Sequence, residues 1–163
     1  MQEVEMKVMG IAQSVPDGHL LMVLQSKKDH TVLPITLDLY SANAIQFALH
    51  KTRFPRPLTH DLLMGVIQAL GAKLTKVVIT ELKGETFFSV LHLEIQKTAS
   101  AQNTTVTIDA RPSDAVALAL RAKVKIYAAR ELLGNITFAD SPAMEQMRQE
   151  WFESLDPDDL LKE

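Results

Sequence analysis

Two short segments of this chain share one grammar: Arg56-Pro57-Leu58-Thr59-His60-Asp61 and Asp109-Ala110-Arg111-Pro112-Ser113-Asp114. Each sets an Arg-Pro pair, a hydroxyl residue and an Asp where an apolar run begins. Much of this is what a helix start needs. Proline resists early entry into the helix, Ser or Thr caps it, and Asp complements the positive end of the helix dipole. Asp109 is also expected to turn the chain by accepting from the Arg111 backbone N–H, since Pro112 has none to give. Capping requires neither arginine.

A helix start beside an Arg suits phosphate, because unpaired N–H groups point outward and guanidinium donates in bidentate fashion. Two such starts together would hold a phosphodiester, with Arg56, Thr59, Arg111 and Ser113 as its binding residues. Asp61, Asp109 and Asp114 repel phosphate by themselves, whereas carboxylates bridged by Mg²⁺ or Mn²⁺ reverse the local sign and prepare a water for attack. His60 supplies a general base or leaving-group acid. The expected catalytic set is therefore His60, Asp61, Asp109 and Asp114, with the three aspartates as metal ligands. The competing reading is a non-catalytic binding or regulatory module in which the same Arg and Asp side chains tie the two helix starts together. Burial separates the two: inaccessible, mutually paired side chains with no cleft beside them mean architecture.

Other chemistries find little support. The chain has no Cys, so disulfides, thiolate metal sites and cysteine nucleophiles are out. His19, His30, His50 and His92 are isolated and lack metal-ligand spacing. A Gly-rich phosphate loop, a nucleophile elbow and a zinc-protease signature are all missing. Aromatics make up 6% of the residues, too few and too scattered to predict a base-stacking platform.

The elements that must position these residues follow from periodicity. Val4, Met6 and Val8 alternate with charged residues as in a half-buried strand, Pro16-Asp17-Gly18 reads as a turn, and Leu20 to Leu24 as the returning strand. A third strand runs from Thr31 to Leu37, with Pro34 placing it at an edge or bulge. Ser41 is expected to cap a short helix through Ala44, Ile45, Ala48 and Leu49. Thr59 is expected to cap the next, with Leu62, Leu63, Val66, Ile67 and Leu70 on one face and Gly71 as its stop. Strands over Lys73 to Leu82 and Phe87 to Ile95 flank a Lys83-Gly84-Glu85-Thr86 hairpin, whose leading Gly favours a type II′ turn. Residues 98–103 read as a loop and Thr104 to Ile108 as a strand. An alanine-rich helix then opens near Ser113 and reaches Ala122, before a strand at Lys125 to Ala128 and a helical turn at Glu131 to Leu133. This order predicts an α+β domain: a mixed, largely antiparallel sheet with three to five helices.

A length of 163 residues and ordinary globular composition predict one domain. Charge divides it. Residues 1–139 carry fifteen basic and twelve acidic side chains, a net of +3, while residues 140–163 carry two against eight, a net of −6. The second segment is expected to hold a final helix from Ser141-Pro142, with Met144, Met147, Trp151 and Leu155 on one stripe. A domain over 1–139 with an acidic helical tail over 140–163 is the expected organisation. The mild charge excludes a simple polycationic binder. No apolar run approaches a membrane span and the acidic N-terminus is not a targeting peptide, so a cytoplasmic chain without membrane association is expected. The Met and Trp stripe predicts a homo-oligomer, most simply a two-fold dimer.

Three blocks carry a likeness: Arg56-Pro57-Leu58-Thr59-His60-Asp61-Leu62-Leu63; Val77-Val78-Ile79-Thr80-Glu81-Leu82-Lys83 with Thr86-Phe87; and Ile108-Asp109-Ala110-Arg111-Pro112-Ser113-Asp114-Ala115. In order and spacing they resemble the bifunctional nuclease domain family, from about Val4 to about Leu133. The resemblance implies the fold, and activity on RNA and DNA as described for plant members. Family members often show a Gly-Pro-Phe-Glu-Ala-like segment where this chain has Asp38-Leu39-Tyr40-Ser41-Ala42. Here Ser41 replaces the Glu and Asp38 is gained. The hairpin has Gly84-Glu85 in place of Asp-Gly, and Phe88 stands where Tyr is common. Residues 134–163 take no meaning from the likeness.

Overall fold

The structure is a computed structural model that describes residues 2–13, 18–29, 31–95 and 104–135. The chain forms strands β1 (Glu3–Gln13), β2 (Leu20–Ser26) and β3 (Val32–Leu37), then helices α1 (Leu39–Leu49) and α2 (Thr59–Ala69). Strands β4 (Ala72–Lys83), β5 (Thr86–Ile95) and β6 (Thr104–Ala110) follow, then α3 (Pro112–Ala122), β7 (Lys125–Ala129) and α4 (Arg130–Asn135). The seven strands form one sheet in the order β3-β2-β1-β7-β4-β5-β6. Every neighbouring pair is antiparallel except β4 with β7. This is the mixed, largely antiparallel α+β fold expected from the alternation of elements. The expected loop over 98–103, the turn residues Pro16 and Asp17, and the C-terminal helix with its acidic tail lie outside the described residues.

Local chemistry accounts for the strand layout. Val4, Met6 and Val8 of β1 are buried, as their period-two spacing requires. Pro34, which cannot donate to a ladder, sits on β3 at the sheet edge. The hairpin turns on Gly84, at φ +59°, with Lys83 paired to Thr86 across it, while Glu85 stays out of the positive-φ region. That combination fits the type II′ turn.

α3 lies at the centre of the core. Ala115, Val116, Ala117, Leu118 and Ala119 are each at most 1% exposed, so this helix is covered all round. Its alanines permit close approach of α1, α2, β4 and β5. α2 is different. Its apolar residues were expected on one face, yet of them only Ile67 is buried, with Met64 half-buried beside it, while Leu62, Leu63, Val66 and Leu70 are exposed. The helix meets α3 and β4 along a narrow line, and no described element covers the rest.

Candidate functional site

The helix starts differ in detail from the expected caps. Asp38, not Ser41, caps α1, accepting from the Ser41 backbone N–H at 2.8 Å and the Ser41 hydroxyl at 2.7 Å. Leu58, not Thr59, occupies the cap position of α2, and the Asp61 carboxylate reaches back to the Leu58 N–H at 3.0 Å. Arg111 occupies the cap position of α3, with Pro112 first in the helix and Ser113 buried inside it. In α1 the Asp38 carboxylate does what the Ser41 hydroxyl was expected to do, because an ionised acceptor bonds an N–H more strongly than a neutral one, whereas in α2 Asp61 satisfies the cap residue's own N–H.

The two similar segments meet. His60 Nε2 lies 3.1 Å from Asp114 Oδ1, joining positions 54 apart in sequence. Arg111 grips the same carboxylate, from Nε to Oδ2 at 2.8 Å and from Nη2 to Oδ1 at 3.3 Å. Its Nη1 approaches Asp38 Oδ2 at 3.7 Å. The His60 side chain is 16% exposed, Asp114 29% and Arg111 67%, so an inner pair carries an outward-facing cation. Burial pushes the Asp114 carboxyl up, and the bonds and charges of Arg111 and His60 outweigh it, leaving it below the ordinary carboxylate range. Asp114 in turn raises the Arg111 pKa, through their hydrogen bond first and its charge second.

Asp61 belongs to a second cluster. Arg121 donates from Nε to Asp61 Oδ1 at 2.6 Å, and from Nη1 to the carbonyls of Ala44 and Ala117, each at 3.0 Å. One side chain on α3 thus holds α1 and α2. Burial raises the Asp61 pKa, and the bonds from Arg121 and the Leu58 N–H overcome it to give a net lowering. Arginine is ordinarily a solvated surface cation, but the Arg121 side chain is only 12% exposed. A hint lay in its position: three and four residues after Leu118 and Ala117, it continues the buried face of α3.

A cleft of about 1090 Å³ opens beside the first cluster. Thr59, His60, Asp109, Arg111 and Asp114 line it, and so do Asp38, Ser41 and Arg121, which sequence reasoning did not assign to the site. The Asp109 side chain, exposed on β6, makes no hydrogen bond or ion pair among the described residues; the expected turn to the Arg111 N–H is not formed. Arg56 is exposed and outside the lining, so the expected pair of Arg-Pro clamps reduces to Arg111. Ser113 lines a smaller neighbouring hollow of about 250 Å³ with Asp38, Arg111 and Glu85. Nor do the three aspartates gather: among the described residues no three His, Asp or Glu side chains form a metal-holding group. The oxygens of Asp61 and Asp114 are engaged by Arg121, the Leu58 N–H, Arg111 and His60 instead, so the residues present do not fit the three-carboxylate ion site expected from their types.

Comparison with known families matches residues 22–140 to the bifunctional nuclease domain, a span that holds the whole cleft. The chain belongs to the bifunctional nuclease domain family. An uncharacterized protein of Mycobacterium tuberculosis is 32% identical over 168 residues, covering 96% of this chain and 97% of the relative. Bifunctional nuclease 1 of Oryza sativa subsp. japonica and Bifunctional nuclease of Oryza minuta are each 26% identical over 129 residues, or 79% of this chain and 38% of the rice protein. The bifunctional nuclease domain matched here thus takes in both helix starts and the three strands, β4, β5 and β6, between them. No helix among the described residues is long and apolar enough to cross a membrane.

Proposed function

We propose that the chain hydrolyses phosphodiester bonds of nucleic acid at the His60–Asp114–Arg111 cluster. One observation carries the reading: the cluster is paired, as an architectural network would be, yet it lies on a large cleft with its guanidinium exposed. The Asp61–Arg121 pair, by contrast, has a guanidinium only 12% exposed that ties α3 to α1 and α2. Kinship with proteins named bifunctional nucleases supports the choice of substrate.

The chemistry follows from which atoms are engaged. An ionised Asp114 accepts from His60 Nε2–H and so selects the tautomer whose Nδ1 carries the free lone pair. Nδ1 takes the proton of an attacking water as its oxygen bonds to phosphorus, and the phosphorus bond to the leaving oxygen breaks with its electron pair going to that oxygen, which is protonated from solvent. Nη1, not engaged in the grip on Asp114, points guanidinium charge at the phosphoryl oxygens as negative charge grows there. Asp109 lines the same cleft with an uncommitted carboxylate.

The test is incubation of the full chain with single- and double-stranded DNA and RNA in Mg²⁺, in Mn²⁺ and in EDTA, beside His60→Ala and Asp114→Asn. Cleavage is expected, and each substitution should lower its rate at least about 100-fold, the usual worth of a general base. Cleavage in any condition that neither substitution slows would overturn the assignment. The EDTA arm reads whether a divalent ion assists.

A further inference from the structure

We infer that the cleft takes nucleic acid as a single strand with unpaired bases, one of which stacks on Tyr40 beside the phosphate at Arg111; for that phosphate contact the inference rests on the nuclease reading. Tyr40 is 85% exposed, so burial does not account for a large aromatic there. It nonetheless lines the cleft together with Arg111. Phe47 lines it too, its ring fixed edge-on against Phe54 with centroids 4.9 Å apart. From the α2 and β6 side come Leu63 and Ile108, 41% and 44% exposed. These are surfaces for the faces of bases, which a duplex keeps stacked inside itself.

Charge argues the same way. A duplex presents phosphates closely spaced along its axis and is held mainly by cations. The cleft offers Arg111 and Arg121, the latter bonded to Asp61, against the carboxylates of Asp38, Asp109 and Asp114. Lys51, Arg53 and Arg56 lie exposed on the segment that leads to the cleft wall at Pro57. With so few cations, affinity must come from base contacts, and those need an open strand.

Fluorescence anisotropy of the full chain in EDTA, with a labelled twelve-nucleotide single strand (roughly the length one single-strand binding fold covers) and with its blunt duplex, tests this. Strand integrity is checked on a denaturing gel. The single strand should bind at least tenfold tighter than the duplex, and Tyr40→Ala should lose about tenfold while Tyr40→Phe keeps the affinity, as expected for one stacked base. The slope of log affinity on log salt should be no steeper than about −3, from about four phosphate contacts at about 0.7 each. Equal affinity for both forms, no binding of either, or a Tyr40→Ala chain that binds as well as the parent overturns the inference. Tyr40-dependent binding by a chain that cleaves in no metal sinks the nuclease reading alone. Cleavage without preference for the open strand sinks this one alone.

Discussion

Asp114 has two partners with different tasks. Toward His60 it is an acceptor that sets the imidazole's tautomer; toward Arg111 it is the anchor of a planar, two-bonded grip. Asp114→Asn keeps the shape and loses the charge, so we expect a folded protein whose kcat falls by about 10²–10⁴, in line with losing an oriented base. Circular dichroism and turnover measured on one preparation check it; an unfolded product would place Asp114 in the architecture instead. Lysine cannot reproduce a bidentate fork. Arg111→Lys should therefore cost about tenfold or more in kcat/KM, and a variant with parental turnover would remove Arg111 from the phosphate contact.

At the scale of elements, α2 is held by little: the buried Ile67, the His60–Asp114 contact and the Asp61–Arg121 pair. Arg121→Met strips the pair of its cation, leaving Asp61 with the Leu58 N–H and the Ala44 carbonyl without the guanidinium donor, at a cost of about 2 kcal/mol for the lost charged hydrogen bonds. Urea unfolding measures it, and a loss below about 0.5 kcal/mol, the range of an ordinary surface change, would show that Arg121 holds nothing. The pH dependence has a definite sign. Asp61 is held below its ordinary value in the fold, so its stabilisation is complete above the unfolded carboxyl's pKa of about 3.9 and drains away as pH falls through the lower folded value. The gap between the parent and Asp61→Asn should be widest at neutral pH and close below about pH 4, the carboxylate range. A gap that stays constant into acid would contradict the ion pair.

For the whole molecule, the uneven charge matters more than the net. A body of +3 precedes an acidic segment of −6 over residues 140–163. Negative charge near Lys51, Arg53 or Arg121 opposes nucleic acid, so removing 140–163 should raise affinity for a single strand and steepen its salt dependence. A folded truncation with unchanged salt dependence sinks that expectation. The exposed Leu62, Val66 and Leu70 of α2 give the expected two-fold dimer a face to use. Sedimentation at micromolar concentration should show a dimer, and a monomer there would end the assembly expectation.

Periodicity and punctuation alone determined the elements. The alternation in β1, the Gly84 turn, Pro34 at an edge strand and the alanine-rich α3 are local facts of the chain, and each appears where its residues require. The family was equally legible, because Arg56 to Leu63 and Ile108 to Ala115 keep their residue types and order. Pairing was not legible. Spacing sets Asp114, three residues after Arg111, apart from Asp61, five after Arg56, but nothing local assigns Asp61 to Arg121 or Asp114 to His60. Nor does any local signal tell that Arg56 stays out of the cleft while Arg121 turns inward, or that Tyr40, one of few aromatics, lines it. Those choices depend on contacts between elements tens of residues apart, made only when α1 and α2 close over α3, and only the tertiary structure decides them.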